Sequence, residues 1–471
     1  MVAPTRSSES VGSPAARSVP LAHAFLALSL SAESGGDQAG ERRGLLTWAQ
    51  FTPNNCPDSA SCDTFSHHAV YTAGTHCDRW FDRPRSAPAA DHGNGMTDSK
   101  EKTILFVDSA PWLGGAQRSL LSLISGLRGT MYHPVLLAAD HSPHGLISAC
   151  KELDIPAQGF HARHWRRNVR GVGHYLHDRR RFRPIWNESV ADWQPHLVHL
   201  NGPRPALIMP RPSLNSCPSL LHVRDVRLPR WLMRRAAARA NRVIAVSRFT
   251  GCVWGHAVHR PPITVVPNGL EPEPGQAARP HCHWGRQHVK VLLIADMVPW
   301  KCHQLFLEAL RTASLSMPTV RGVVLGRAHG LPAQTYLAEL QAYARALDIH
   351  HLVQFVTDVN DAAAWIKTSD VLVSVADGEP FGRTVVEALR VGKPIVTTCG
   401  GGPEEIVSNC PAGTLVAPTA HDVARGIGVW LEENARTAVA DDARKRADEY
   451  SVARMVQGVC DVYAKVLENA K

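Results

Sequence analysis

Glu379 and Glu387 stand eight positions apart in Asp377-Gly378-Glu379-Pro380-Phe381-Gly382-Arg383-Thr384-Val385-Val386-Glu387-Ala388. Ahead of them Val371-Leu372-Val373-Ser374-Val375 has the length and β-branched content of a buried strand. Behind them Val385, Val386, Ala388 and Leu389 recur at helical spacing until Gly392 and Pro394 end the pattern. The segment reads as strand, glycine loop, helix. A helix N-terminus offers backbone N–H groups without intrahelical acceptors and the positive end of the macrodipole, so Phe381, Gly382, Arg383 and Thr384 form a seat for a phosphate. Carboxylates on either side of such a seat repel the phosphate itself and suit neighbouring hydroxyls. A sugar joined to a nucleoside through a diphosphate has that layout, with hexose hydroxyls at one end and ribose hydroxyls at the other. A single glutamate here would read as solvated surface charge; the whole constellation reads as a site.

A second loop of this kind follows Ile104-Leu105-Phe106-Val107. There Gly114-Gly115 turns into a helix whose Leu120, Leu121, Leu123 and Ile124 face inward. A Gly-Gly turn alone marks only a tight turn, but its place after the first strand makes it a second phosphate-capable loop.

These residues resemble the retaining glycosyltransferases of family 4, which have the GT-B fold: α/β, with two Rossmann-like domains whose parallel sheets face a central cleft. The family motif is Glu-x7-Glu and then a glycine-rich segment, here Glu379 to Glu387 followed by Gly400-Gly401-Gly402-Pro403-Glu404-Glu405-Ile406-Val407. The resemblance implies a catalytic Glu379 on the donor sugar and Glu387 on the ribose. It also implies that the Gly114-Gly115 loop meets the donor diphosphate or the acceptor, and that His222 lies close to the transferred sugar, where a neutral imidazole bonds a hydroxyl or stabilises charge. Lys301, a flexible point charge, suits the donor phosphates. Retention follows from front-face attack, with the leaving phosphate accepting the acceptor's proton, so the protein positions and stabilises and no metal or other cofactor is required. The chain departs from its relatives at Ala295-Asp296, where most carry Gly-Arg, and at Cys302, where a glycine is usual. The acid at a phosphate-facing position keeps a second reading open: a noncatalytic nucleotide- or sugar-binding module that kept the fold. A phosphorylase of the same fold would need a pyridoxal phosphate lysine in its characteristic setting, and none is found.

The elements that must hold these residues alternate as strand and helix. Further strands are expected at Pro134–Ala138, Leu197–Leu200, Ser219–His222, Val243–Val246, Ile263–Val266, Val289–Ala295, Val323–Gly326 and Val353–Phe355, with an amphipathic helix over Val452–Leu467. Repeated βα units predict parallel sheets with ligands at the carboxyl ends of the strands. The expected domains are 101–275, acceptor-side; 276–288, a linker rich in Pro, Gly and His; 289–450, donor-side; and 451–471, a helix crossing back to the first domain.

Length and composition agree with this division. A chain of 471 residues exceeds one typical core, and no apolar run reaches the ~18 residues of a membrane helix. Eleven scattered cysteines without CxxC pairs point to reduced thiols and a cytoplasmic enzyme. His281-Cys282-His283 with His288 is a poor tetrahedral metal site, since adjacent ligands lie in a linker. The first 95 residues carry 7 Arg, 9 Asp or Glu and no Lys, without sustained periodicity. A short apolar run, Leu21 to Leu30, could be a secretory signal, but about 70 structureless residues follow it, and a nucleotide-sugar enzyme belongs where its donor is made. Residues 1–100 are therefore expected to be a disordered or spurious N-terminal extension, with 1–95 lying upstream of a start at Met96. Those 95 residues sum to −2 and the whole chain to +9, so the remainder carries +11. Part of it is concentrated between Arg163 and Arg183, where Trp165, Tyr175 and Phe182 are interleaved with arginines. That pattern suits peripheral contact with an anionic membrane, or an acidic acceptor, over nucleic acid, for which no module is recognisable. The expected partners are a nucleotide-sugar donor and a carbohydrate or lipid-linked acceptor. Deleting residues 1–95 should leave transferase activity unchanged in an assay of released nucleotide; a collapse would show that the extension is needed.

Overall fold

The computed structural model describes residues 101–110, 113–139, 145–162, 169–210, 217–271, 280–357 and 362–469. The N-terminal extension, Trp165 and residues 276–279 of the expected linker lie outside them. The first domain alternates β1 (Lys102–Asp108), α1 (Gly115–Gly126), β2 (Tyr132–Ala139), α2 (Leu146–Glu152), β3 (Ala157–Phe160), α3 (Val169–Trp193), β4 (Leu197–Asn201), α4 (Pro203–Ile208), β5 (Ser219–Val223), α5 (Arg230–Ala237), β6 (Arg242–Ala245), α6 (Arg248–Ala257) and β7 (Ile263–Val265). The second runs β8 (Val289–Ile294), α7 (His303–Ser314), β9 (Val320–Leu325), α8 (Gly330–Ala346), β10 (Val353–Val356), α9 (Ala362–Thr368), β11 (Val371–Ser374), α10 (Arg383–Arg390), β12 (Ile395–Thr398), α11 (Gly402–Val407), β13 (Gly413–Val416), α12 (Ala420–Gly428), α13 (Glu433–Ala438) and α14 (Ala440–Asp448), before α15 (Val452–Glu468).

Every strand pair is parallel, in the orders β3-β2-β1-β4-β5-β6-β7 and β10-β9-β8-β11-β12-β13. The order reverses between β1 and β4 and between β8 and β11. At such switch points the following loops diverge and leave a crevice at the strands' carboxyl ends. The loop after β1 holds Gly114; the loop after β11 holds Glu379. Buried on both faces, the central strands read as unbroken apolar runs, with Ile104 to Val107 and Val371 to Val373 fully or almost fully covered. The expected strands are all present. The sequence reading omitted β3, β12 and β13, of which β3 and β13 are sheet edges with mostly half-buried residues.

α15 lays Met455, Val459, Val462, Tyr463 and Val466 into the core formed by β1 and α1 of the first domain. Gly126 and Gly269 permit this approach, since a Cβ on either would collide with Val456 or with the backbone of Ser451 and Val452. The basic-aromatic segment divides differently from its sequence pattern. Phe182 is core, packed edge-on to Phe160 at 4.7 Å, and Tyr175 turns inward with its hydroxyl donating to the Leu207 carbonyl, while Arg180, Arg181 and Arg183 face solvent. The described face therefore offers charge without Phe182 or Tyr175. Among the described residues seven cysteines are free thiols, but Cys252 on α6 is disulfide-bonded, against the expectation of reduced thiols throughout.

The domains meet along a polar seam. The Glu405 carboxylate, on α11, accepts hydrogen bonds from the first two amides of α6, Arg248 N at 2.9 Å and Phe249 N at 2.6 Å. Burial pushes this carboxyl up, against the pull of those amides. The Pro380 carbonyl accepts from Ser247 Oγ at 2.5 Å and Thr250 Oγ1 at 3.0 Å. Arg383 Nη1 donates to Ser119 Oγ at 2.7 Å.

Beneath the seam the Tyr463 hydroxyl pairs with His199 Nδ1 at 2.6 Å, and His199 Nε2 with His222 Nδ1 at 3.1 Å. Burial, and then the Arg224 charge, hold both rings well below the usual histidine range. The unfolded chain therefore takes up protons first as pH falls through about 6.5, and the stability present above that pH is lost below it. Thermal unfolding between pH 7.5 and 5 should show a slope steeper than that of a His199→Gln, His222→Gln variant by up to ~1.4 kcal/mol per pH unit for each ring. Identical slopes would contradict neutral burial of the pair.

Candidate functional site

Between the two carboxyl edges lies a cavity of about 560 Å³, within the ordinary range for small-molecule sites. Gly114, Gly115, Arg118, Arg224, Asp225 and Arg227 line it from the first domain; Asp296, Trp300, Lys301, Arg327, Glu379, Phe381, Gly382, Arg383, Thr384 and Glu387 line it from the second. Apart from His222, every site residue expected from the sequence is on this wall. Among the described residues the one grouping able to share a metal ion, Asp348, His350 and His351, is exposed and does not line the cavity.

The loop from Glu379 to Gly382 is held from below by glycines. Gly402 N donates to the Glu379 carbonyl at 2.8 Å, and a Cβ on Gly402 would lie 2.6 Å from the Phe381 Cα and from the Pro380 and Phe381 carbonyl oxygens. The glycine-rich segment after the glutamate pair is thus a platform for the loop. The Phe381 ring anchors it, buried edge-on to Tyr450 at 5.7 Å. Gly382 then caps α10 at φ 97°, a left-handed conformation that L side chains disfavour, and the first amides of α10 point onward from it.

Charge is arranged in pairs around this seat. Lys301 forms a short ion pair with Glu379, both side chains largely buried at 18% and 17% exposure, and its ammonium lies 4.1 Å from the Trp300 ring centre. Arg383 reaches Glu387 at 3.4 Å, one turn along α10. Burial, outweighing the Glu387 charge, lowers the Arg383 guanidinium. Asp296 is held by both arms of Arg327, each at 2.8 Å, and Arg327 also donates to the Leu113 carbonyl of the opposite domain at 3.1 Å. Burial pushes the Asp296 carboxyl up, but Arg327 outweighs it and holds the carboxyl below its ordinary value. Charge reversal at this position is thus neutralised within the second domain. Cys302 sits at φ 54°, a left-handed position that explains the glycine usual in relatives.

His222 does not line the cavity. It is fully buried, one turn of the polar network behind the wall, so the expectation that it faces the transferred sugar is not met by the geometry. The residue that emerges from that strand is Arg224. Its Nε donates to Asn201 Oδ1 at 2.9 Å, its Nη1 to Asn268 Oδ1, and its Nη2 lies 3.4 Å from His222 Nδ1. Asn201 is oriented in turn by Asp108, which accepts from its amide nitrogen at 2.5 Å; Asp108 also holds Gln117, whose carbonyl accepts from Gly114 N at 3.2 Å. Burial raises the Asp108 carboxyl despite these donors. Asp108, Asn201, Arg224 and Asn268 were absent from the sequence reading. Their common signal is a polar residue at or just past the carboxyl end of an apolar strand, the edge where a parallel sheet binds its ligands.

A family model described as Glycosyl transferases group 1 matches residues 284–451, and one described as Glycosyltransferase Family 4 matches residues 113–274. The chain is 41% identical over 106 residues to sucrose-phosphate synthase 4 of Arabidopsis thaliana, a match covering 22% of this chain and 9% of that protein. It is 32% identical over 152 residues to a D-inositol 3-phosphate glycosyltransferase of Xylanimonas cellulosilytica, covering 31% of this chain and 36% of that one. The matches therefore span well under two thirds of these relatives. Among solved structures, Anabaena HepE in complex with UDP and glucose superposes with a TM-score of 0.63 at 20% identity, over 78% of this chain and 100% of that one. A sucrose-phosphate synthase from Thermosynechococcus elongatus gives 0.64 at 16% identity, over 78% and 100%. At these identities the likeness is one of fold.

Gly382→Ala places a Cβ 2.8 Å from Pro403 on a left-handed backbone, so it should destabilise the protein by about 1–3 kcal/mol and disturb the amides of α10. Denaturant unfolding and nucleotide titration measure the two effects; an unchanged midpoint with unchanged binding would contradict this account of the loop.

Proposed function

Given that the chain belongs to the family 4, group 1 glycosyltransferases with the GT-B fold, we propose that it transfers a sugar from a nucleotide-diphosphate donor to a carbohydrate or lipid-linked acceptor, with retention of anomeric configuration. The observation that carries this reading is the gathering of the Gly114-Gly115 loop, the α10 N-terminus, Glu379 and Glu387 on one cavity. The diphosphate rests on the amides of Gly382 to Thr384; Glu387 takes the ribose hydroxyls, and Glu379 the hydroxyls of the transferred sugar. Nucleotide complexes of structural relatives, HepE with UDP and with UDP-glucose, support a donor of this class.

In this reading Lys301 has two tasks. Its partner Glu379 needs a counter-ion in a largely buried setting, and its ammonium adds positive charge close to the leaving diphosphate. As the glycosidic bond lengthens, negative charge grows on the phosphate, and the α10 amides with Arg383 are fixed to receive it without reorganising. The acceptor hydroxyl attacks from the same face and passes its proton to that phosphate. Positive charge from side chains and amides does the work assigned elsewhere to a metal, so no divalent ion is called for. The acceptor enters from the first domain's side. The exposed arginines of α3 suit an anionic surface on which a lipid-linked acceptor would lie, and contact with membrane remains part of this proposal.

The noncatalytic alternative drew on Asp296. With that carboxylate held by Arg327, its charge does not stand against a phosphate as an unpaired acid would.

A panel of nucleoside diphosphates should reveal a stabilising ligand in thermal shift, since saturation at 100 times the dissociation constant adds ~2.7 kcal/mol. Activity with the matching sugar donor should persist in excess chelator. Glu387→Ala should weaken donor binding, whereas Glu379→Gln, which keeps a hydrogen-bond acceptor for Lys301, should chiefly lower turnover. No shift with any nucleotide, or full activity in both variants, would overturn the assignment.

A further inference from the structure

Of the cations lining the cavity, most already face an acid. Lys301 is paired with Glu379, Arg327 with both oxygens of Asp296, Arg227 with Asp377, and Arg383 with Glu387. Arg224 differs. Among the described residues it makes no ion pair: Asp108 acts on it only from behind Asn201, and its hydrogen-bond partners, Asn201, Asn268 and a neutral His222, carry no charge and fix the guanidinium at the mouth of β5. Asn201 cannot flip away, because its amide nitrogen is committed to Asp108 and only its oxygen is left for Arg224. Asn268 is itself buried. Asn268, in Val266-Pro267-Asn268-Gly269 just after β7, thus holds an arginine in place.

This fixed charge stands close to another. Burial, and then the repulsion of Arg383, push the Arg224 guanidinium down to about 9. Arg383 in turn crosses the seam to Ser119 on α1. Both guanidinium groups line the one cavity from opposite domains, and an anion between them relieves their mutual repulsion.

We propose that Arg224, with Arg383, clamps the donor's diphosphate across the domain interface, so that the first domain supplies the cation missing at the Asp296 position. This inference rests on the nucleotide-sugar reading above. Asp108, Asn201 and Asn268 are positioning residues for this arginine.

The test is nucleotide binding by the full chain, read by calorimetry with the nucleoside diphosphate, monophosphate and free nucleoside of the base that binds best. Arg224→Ala should lose about 10- to 100-fold in diphosphate affinity, the scale of a buried charged hydrogen bond, with the nucleoside affinity unchanged. Arg224→Lys, which keeps charge without the fork, should recover part of the loss and serves as the readout if the alanine variant does not fold. Asn268→Ala should produce a smaller loss of the same selectivity. Equal losses for diphosphate and nucleoside would mean a merely structural arginine and overturn the proposal. Unchanged diphosphate affinity with a raised KM for the acceptor would assign Arg224 to the acceptor and overturn it too. If the wild-type protein binds no nucleoside diphosphate, the proposed function itself falls; if it binds one and Arg224→Ala binds it equally well, only the clamp falls.

Discussion

A carboxylate of the second domain, Glu405, occupies the place of an N-terminal helix cap in the first, and the cavity between the domains is shaped by the closure this enforces. The amides of Arg248 and Phe249 have no acceptor within α6, so they need one from outside. Supplying it from α11 ties the glycine-rich segment of one domain to a helix of the other. Ser247 and Thr250 continue the seam to the Pro380 carbonyl, one residue from Glu379. The loop that carries the glutamate is therefore positioned from beneath by Gly402 and from across the cleft by α6. Parallel sheets alone would place two loop edges in the same region; these bonds determine the spacing between them.

Within that spacing the cavity balances its charge locally. Three of the carboxylates lining it are matched with a cation: Glu379 with Lys301, Glu387 with Arg383, Asp296 with Arg327. The departure from family pattern at Asp296 becomes intelligible in these terms. An acid was introduced with a bidentate partner thirty-one positions later in the chain, and the pair also fastens to the Leu113 carbonyl of the first domain. What looks in sequence like a damaged phosphate site is, in three dimensions, a domain contact.

Behind the wall, the polar residues ending β1, β4 and β5 form a connected layer from Gly114 through Gln117, Asp108 and Asn201 to Arg224, with His222, His199 and Tyr463 below. Such a buried layer holds its members in single orientations because each lone pair and proton has few alternatives. Tyr463 brings α15 into it. The helix that returns from the second domain thus contributes both apolar surface and a hydroxyl to the layer supporting the cleft, and links the end of the chain to the first strand.

Much of this was legible from residues alone. Apolar runs of strand length between helical patterns determined two parallel α/β domains, because strands buried on both faces leave no polar alternation to mistake. The spacing of Glu379 and Glu387 around a glycine turn marked a loop and helix start that do line the cavity, since loop, helix start and first turn are contiguous in the chain and their geometry is local. The edge strands β3 and β13 escaped notice because half-buried edges lack that apolar signature. Arg224, Asp108, Asn201 and Asn268 escaped because their roles arise only when distant strands lie side by side, and His222 was placed on the wrong side of the wall because strand alternation does not say which residue ends at the surface. Local chemistry was thus written in the sequence, while the pairing of charges, the seam and the identity of the wall residues were decided by tertiary contacts between segments tens to hundreds of positions apart, whose distances no local pattern encodes.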